Sequence, residues 1–179
     1  TLSKVLERVV HTRLYEYLTS NNLLTEKNSG FKKSDSTVNQ LVFISHKIHQ
    51  ALDQKHDACL VFLDISKAFD KVWHRGLIFK LRQLGINGTL LRWFSSYLVD
   101  RRQQVTMEGA TSDPASVTAG VPQGSILGPL LFLVYINDLV KNLNCDAHLF
   151  ADDTFFLDTF TNATESSTRV NEVLVALSV

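Results

Sequence analysis

The stretch 148–158, HLFADDTFFLD, sets two adjacent aspartates, Asp152 and Asp153, in the middle of an apolar run. In a regular strand successive side chains point to opposite faces, so a straight segment would not bring both carboxylates to one side. A turn resolves the conflict. Leu149-Phe150 and Phe155-Phe156-Leu157 then become the arms of a hairpin with the acids at its tip. Aspartate is a common turn residue on its own account, so the pair alone does not separate a plain turn from a site. A third acid bears on the choice. ACLVFLDI, 58–65, is a continuous apolar run ending in Asp64, and it reads as a strand buried on both faces or nearly so. If that strand neighbours the hairpin in one sheet, three carboxylates gather at one edge.

The 179 residues suffice for one domain with a sizeable core, or a domain with an appended lobe. A hydrophobic content of 45% places the chain among globular proteins. Lys+Arg and Asp+Glu are equal at 18 each, so net charge points to no polyanionic partner, and any such reading depends on local charge. Cys59 and Cys145 stand far apart, without metal-type spacing, and read as two reduced thiols. The longest apolar run, ILGPLLFLVYI, falls short of the roughly 20 residues a membrane helix needs and reads as a core helix. With no visible signal peptide, an intracellular location is expected. A start without methionine and a stop inside a helical pattern suggest a piece of something longer.

Leu2, Val5, Leu6, Val9, Leu14 and Leu18 fall on one helical stripe, which predicts a helix over 2–18. A polar, turn-rich stretch with Lys27, Lys32 and Lys33 follows. Thr37 and Gln40 fit a capping box opening a helix to about 54, with Val38, Leu41, Val42, Ser45, Ile48 and Leu52 facing inward. After the 58–65 strand, SKAFDKVWHRGLIFKLRQLG predicts a helix closed by Gly85, and GTLLRWFSSYLVD predicts another. RRQQVTMEG and ASVTAG are placed to pair as strands around a loop with Pro114. VPQGSILGPLLFLVYINDLVKNL predicts a long helix with a loosened start, and an amphipathic helix closes the chain from about 164. This order predicts a mixed α/β (α+β) protein with an antiparallel sheet.

Three ionised carboxylates in one place repel one another unless a cation sits between them. Oxygen-only ligation selects a hard cation, Mg²⁺ or Mn²⁺. Two such ions, about 3.5–4 Å apart, can activate an attacking hydroxyl and stabilise a leaving pyrophosphate. A phosphoryl-transfer site is therefore the sharper hypothesis. A haloacid-dehalogenase-like phosphatase would need an acid where Ser66 stands. A phosphate-receiver domain would carry its acidic pair first, the reverse of the order here.

VFLDISKAFDKVWHRGLIFKLRQLGI, AGVPQGSILGPLLFLVYINDL and LFADDT together resemble three successive palm motifs of reverse transcriptases, in wording closest to non-LTR (LINE-type) retrotransposons. The upstream KVLERVVHTRLYEYLTSNNLLTEKNSGF also resembles the segment that precedes the palm in that family. The resemblance implies a right-hand polymerase fold with a small antiparallel palm sheet flanked by helices. Residues 1–57 would be a fingers-like helical segment and 58–179 the palm with part of the fingers inserted, the thumb being absent. The implied activity is copying RNA into DNA from a primer 3′-hydroxyl. RNA template, DNA primer and deoxynucleoside triphosphates would be the partners and two Mg²⁺ or Mn²⁺ ions the cofactors.

Carried over by position, Asp64 and Asp152 would hold the metal ions, Asp153 would complete the acidic motif, and the Ile65 carbonyl would be a further ligand. Phe69 matches the aromatic gate under the sugar of the incoming nucleotide, which excludes a 2′-hydroxyl. By periodicity alone Phe69 reads as a core aromatic. Gln123 would help hold the nucleotide, with Pro122 and Gly124 shaping the approach. Phe150 and Ala151 would border the primer end. Lys32 and Lys33 would meet phosphates, although the family commonly has arginine there, and Ser34-Asp35 replaces a basic or glycine pair; lysine lacks the bidentate fork. Asp70 reads as fixing the following helix, and Asp138 as a helix-end residue. His46, His49 and His56 lack the partners for a tetrahedral zinc set. Arg101 and Arg102 fit a nucleic-acid backbone contact or a solvated pair, the second preferred. A thumb and an endonuclease region would lie elsewhere in a longer protein. A related palm polymerase making RNA and a non-catalytic remnant are the competing readings.

Overall fold

The computed structural model describes residues 2–32, 35–141, 143 and 145–177. The elements run α1 (Leu2–Ser20), α2 (Thr37–Asp53), β1 (Asp57–Asp64), a 3₁₀ turn (Ala68–Lys71), α3 (His74–Gln83) and α4 (Gly88–Leu98). Four two-residue strands follow: β2 (Arg102–Gln103), β3 (Thr106–Met107), β4 (Ala110–Thr111) and β5 (Ala115–Ser116). The chain closes with α5 (Gly128–Ile136), β6 (Asp146–Phe150), β7 (Asp153–Phe160) and α6 (Ala163–Leu177). It divides into two compact units, Thr1–Leu23 with Lys67–Tyr135 and Leu24–Ser66 with Ile136–Val179.

The second unit is built on an antiparallel sheet of order β1-β7-β6. The expected hairpin is present, and the 58–65 run is its neighbour: β1 pairs with β7 from Asp57↔Phe160 to Asp64↔Asp153. The central strand is β7, whose Thr154, Phe155, Phe156 and Leu157 are all buried. Helix α6 lies against β7, and Arg169 grips Asp158 through Nε at 3.0 Å and Nη2 at 3.1 Å. Two expectations are corrected. As an edge strand, β1 is not buried on both faces, and Phe62 is 66% exposed. The α2 stripe of Val38, Leu41, Val42 and Leu52 faces outward, and Ala51 is the buried position of the helix. Periodicity marks an apolar face but does not say whether anything covers it. The capping box also differs. Ser36 is the N-cap, its Oγ accepting from the Asn39 N–H at 3.3 Å, while the Gln40 amide donates to the Leu149 carbonyl at 2.8 Å.

In the first unit, Leu14 and Leu18 of α1 are buried, whereas Leu2, Val5, Leu6 and Val9 are exposed. Helix α5 is the core element, with Leu130, Leu131, Phe132, Leu133 and Val134 all buried. A helix apolar all round belongs inside. It is shorter than predicted, ending at Ile136. Its start is fixed from a distance. The buried Glu7 carboxylate accepts from the Ile126 and Leu127 N–H groups at 2.8 and 3.4 Å, and from the Tyr97 hydroxyl at 3.4 Å. These donors lie just before the first residue of α5, at the helix N-terminus where negative charge is favoured. Glu7→Ala leaves them without their acceptor and is expected to cost about 2–3 kcal/mol. Urea unfolding should show a lowered midpoint with an unchanged slope, and Glu7→Gln, which keeps an acceptor, should lose less.

The helix predicted from Ser66 is broken. A 3₁₀ turn ends at Lys71, and α3 begins at His74. The break has a non-local cause: Val121 and Gly120 donate their N–H groups to the Phe69 and Val72 carbonyls at 2.9 and 2.8 Å. Gly85, with φ +90°, closes α3 as expected. The paired segments around Pro114 form β2–β5, and between them β3–β4 makes a hairpin whose turn, Glu108-Gly109, has both φ values positive.

Candidate active site

The three acids meet at one end of one sheet. Asp64 is the last residue of β1 and stands opposite Asp153, the first of β7. Phe150, the last residue of β6, also pairs with Asp153, so Ala151 and Asp152 form the hairpin turn. Cross-strand partners project to the same face, with Cβ atoms about 4.5–5.5 Å apart. Asp64 and Asp153 are exposed and Asp152 is half-buried. None of the three forms an ion pair among the described residues. An uncompensated, oxygen-only donor set on an open edge suits a hard divalent cation. Among the described residues no three acidic, His or Cys side chains already surround one point. The acids share a sheet end without forming a closed cage. Ile65 follows directly, outside the strand.

The turn is held by a segment that sequence reasoning passed over as generic loop. Ala151 has φ +59°, a conformation unfavourable for a residue with a Cβ. Asn28, buried to 2% exposure, accepts at Oδ1 from the Gly30 N–H at 2.9 Å and from the Ala151 N–H at 3.4 Å. Residues 27–29 run along β6, Leu149 donating to the Lys27 carbonyl at 2.7 Å and accepting from Ser29 at 3.0 Å. Gly30 lies so close that an added Cβ would stand 2.2 Å from the Ala151 nitrogen. The signal available was Asn-Ser-Gly, which announces a turn but not its distant partner.

Of the remaining predicted positions, Lys32 is half-buried and its ammonium donates to the Thr25 carbonyl. Burial lowers its pKa, while Asp35 and Glu26 act in the opposite direction. Asp35 accepts from the Ser36 N–H at 2.8 Å and the Asn39 amide at 3.1 Å, serving the start of α2. Lys33 lies outside the described residues.

The first unit gathers a different group. The half-buried Phe69 stacks on the buried Phe132, ring centroids 4.3 Å apart. Gln123 is exposed, and its amide donates to Asp70 Oδ1 at 2.8 Å, so Asp70 orients this glutamine. Gly120, at φ +91°, lets the loop press on the Asp70 backbone, where a Cβ would come within 2.9 Å of its carbonyl oxygen. Gly124 needs its freedom for φ +73° and has open space around it.

The family model for reverse transcriptase (RNA-dependent DNA polymerase) matches residues 1–178. The chain belongs to the reverse transcriptase family. It is 42% identical over 139 residues to the "Probable RNA-directed DNA polymerase from transposon BS" of Drosophila melanogaster, covering 78% of this chain and 15% of that protein. It is also 32% identical over 185 residues to the RNA-directed DNA polymerase from mobile element jockey of Drosophila funebris, covering 98% of this chain and 20% of that one. The chain thus spans about a seventh to a fifth of the length of these relatives. The resemblance to non-LTR retrotransposon enzymes is borne out. Its fold is shared with an apo telomerase of Candida tropicalis, at TM-score 0.62 and 13% identity, over 97% of this chain and 37% of that one. The mixed α/β, polymerase-type class is borne out with it. Among the described residues no helix is long and apolar enough to cross a membrane.

Proposed function

We propose that this reverse transcriptase domain carries the nucleotidyl-transfer centre of an RNA-directed DNA polymerase, extending a primer 3′-hydroxyl with deoxynucleotides along an RNA template. The observation that carries the reading is the register that sets Asp64 opposite Asp153, with Asp152 in the adjoining turn. Asp64 and Asp152 are the residues to hold two Mg²⁺ or Mn²⁺ ions, with Asp153 and the Ile65 carbonyl in support. When bound, such ions lower the pKa of the attacking hydroxyl and stabilise the departing pyrophosphate. The chain's own part is to fix those carboxylates. A rigid ladder on one side and the Asn28–Gly30 segment on the other leave the turn little freedom. Residues 1–57 are proposed as fingers-like and 58–179 as palm with inserted fingers.

Gln123, oriented by Asp70, and Pro122 with Gly124 are proposed to position the nucleotide, and Phe69 to lie under its sugar. Phe150 and Ala151 would border the primer terminus, and Lys32 and Lys33 would face phosphates. Replacing Phe69 by alanine is then expected to reduce discrimination against ribonucleotides by about 10- to 100-fold. Competitive incorporation of paired deoxy- and ribonucleotides reads this, and unchanged selectivity would favour a polymerase that makes RNA.

The reading itself is tested by primer extension on an RNA template, with and without Mg²⁺ or Mn²⁺. The chain should be run beside a version joined to a relative's thumb. Metal-dependent DNA synthesis by either version supports it. Failure of both, with the fold and nucleotide binding intact, would leave a non-catalytic remnant.

A further inference from the structure

The first unit holds a groove of about 500 Å³ that the acidic turn does not account for. Trp73, His74 and Arg75, at the start of α3, line it together with Arg101, Arg102 and Thr118. Three arginines line it with one acid, Asp100. None of the three arginines forms an ion pair among the described residues. In a chain of zero net charge this is a local concentration of positive charge, not an expression of composition.

The groove walls are fixed. His74 is 9% exposed and its ring Nε2–H donates to the Gly120 carbonyl at 2.7 Å, tying the start of α3 to the loop before Gln123. Arg101 sits over the Tyr97 ring at 5.6 Å, and the backbone of Arg102 is paired with Ser116 in the β2–β5 ladder. The indole of Trp73 lies against Gly76, where an added Cβ would come within 2.6 Å of Cε3, yet the residue is 58% exposed. A large aromatic laid on a glycine and left open to water is a platform, not a core side chain. A second cleft of about 410 Å³ contains Asp70, Pro122 and Gln123 and shares Arg101, Arg102 and Val117 with the first.

We infer that the groove between the start of α3 and the β2–β5 ladder is a binding site for a single strand of nucleic acid, its phosphodiesters on Arg75, Arg101 and Arg102 and one base stacked on Trp73. Arginine forks match phosphate oxygens, which a solvated surface pair would not require. A cationic groove with an exposed aromatic is the arrangement that single strands use, because every base has a face to stack and an unpaired base can reach it. An acidic peptide would satisfy the arginines but give the indole no comparable partner. This inference is independent of polymerase activity, since binding needs neither nucleotide nor metal ion.

The test is fluorescence anisotropy of a labelled 12-mer of oligo(U) or oligo(dT) with the full chain in EDTA, over a series of salt concentrations. Trp73→Ala is expected to weaken binding by about 5- to 100-fold, and Trp73→Phe to recover most of it. The double change Arg75→Gln, Arg102→Gln should lower the slope of log affinity against log salt by about 1.4. Loss for RNA alone or DNA alone assigns the strand type. Unchanged affinity in the folded Trp73→Ala variant, an unaltered salt slope, or equally tight binding of a polyglutamate peptide would overturn the proposal.

Discussion

Exchanging Asp64 or Asp152 for asparagine is expected to lower primer extension by about a thousandfold, a loss of roughly 4 kcal/mol of transition-state stabilisation. Asparagine keeps the shape and one acceptor oxygen but removes the charge that attracts a hard cation. Asp153→Asn is expected to cost less, about 10- to 100-fold, as for a group that supports a metal ligand. The same change carries a signature that a merely structural role would not produce. Asp153 faces Asp64 across the ladder, and like charges directly opposite destabilise a pair by about 0.2–1 kcal/mol. Asp153→Asn should therefore raise the melting temperature by about 1–4 °C in EDTA while slowing synthesis. With Mg²⁺ present the gain should shrink, because a bound cation already relieves the repulsion in the parent. Thermal melts with and without metal, beside extension rates, read both effects. A variant that melts lower in EDTA would place these two side chains apart and count against a shared metal centre.

What was legible in the sequence was what local pattern can encode. The doubled acid in an apolar run required a turn, and an apolar run ending in Asp64 required a strand. Their adjacency was a conjecture that the β1–β7 ladder bears out. The misses share a cause. Glu7 finds its partners at Ile126 and Leu127, and Asn28 finds Ala151. A contact across more than a hundred residues leaves no spacing to read. The break before α3 likewise comes from carbonyls claimed by the 120–121 loop, which no propensity within residues 66–85 announces. The α2 stripe failed differently. The helix is amphipathic, but covering its apolar face is a property of neighbours and not of the helix. Arg101 and Arg102 are exposed, as a solvated pair would be, and also line one groove with Arg75 and an open indole. Single residues looked unremarkable until the fold put them side by side.

Gly30→Ala should be the most damaging single methyl in the second unit. The added Cβ would lie 2.2 Å from the Ala151 nitrogen, 2.9 Å from its Cα and 3.0 Å from its Cβ. Two of those atoms are backbone, so no rotamer change relieves the clash, and the 27–30 segment must draw away from the hairpin. Overpacking of this kind costs about 1–3 kcal/mol. Separation also breaks the Ser29–Leu149 and Lys27–Leu149 backbone hydrogen bonds, each worth about 1 kcal/mol. A total near 3–5 kcal/mol predicts a melting temperature lower by about 6–20 °C. Activity should fall further than the unfolded fraction explains. Ala151 has its positive φ beside Asp152 with its N–H bonded to Asn28, and release is expected to let the turn relax and carry the carboxylate with it. Glu7→Ala supplies the comparison, since it removes about 2–3 kcal/mol of stability from the first unit while leaving the hairpin's own contacts in place. Assayed well below both melting points, Gly30→Ala should lose synthesis and Glu7→Ala should keep most of it. Equal losses in the two variants would mean that the segment 27–30 matters for stability alone, and that the turn needs no outside support to hold Asp152.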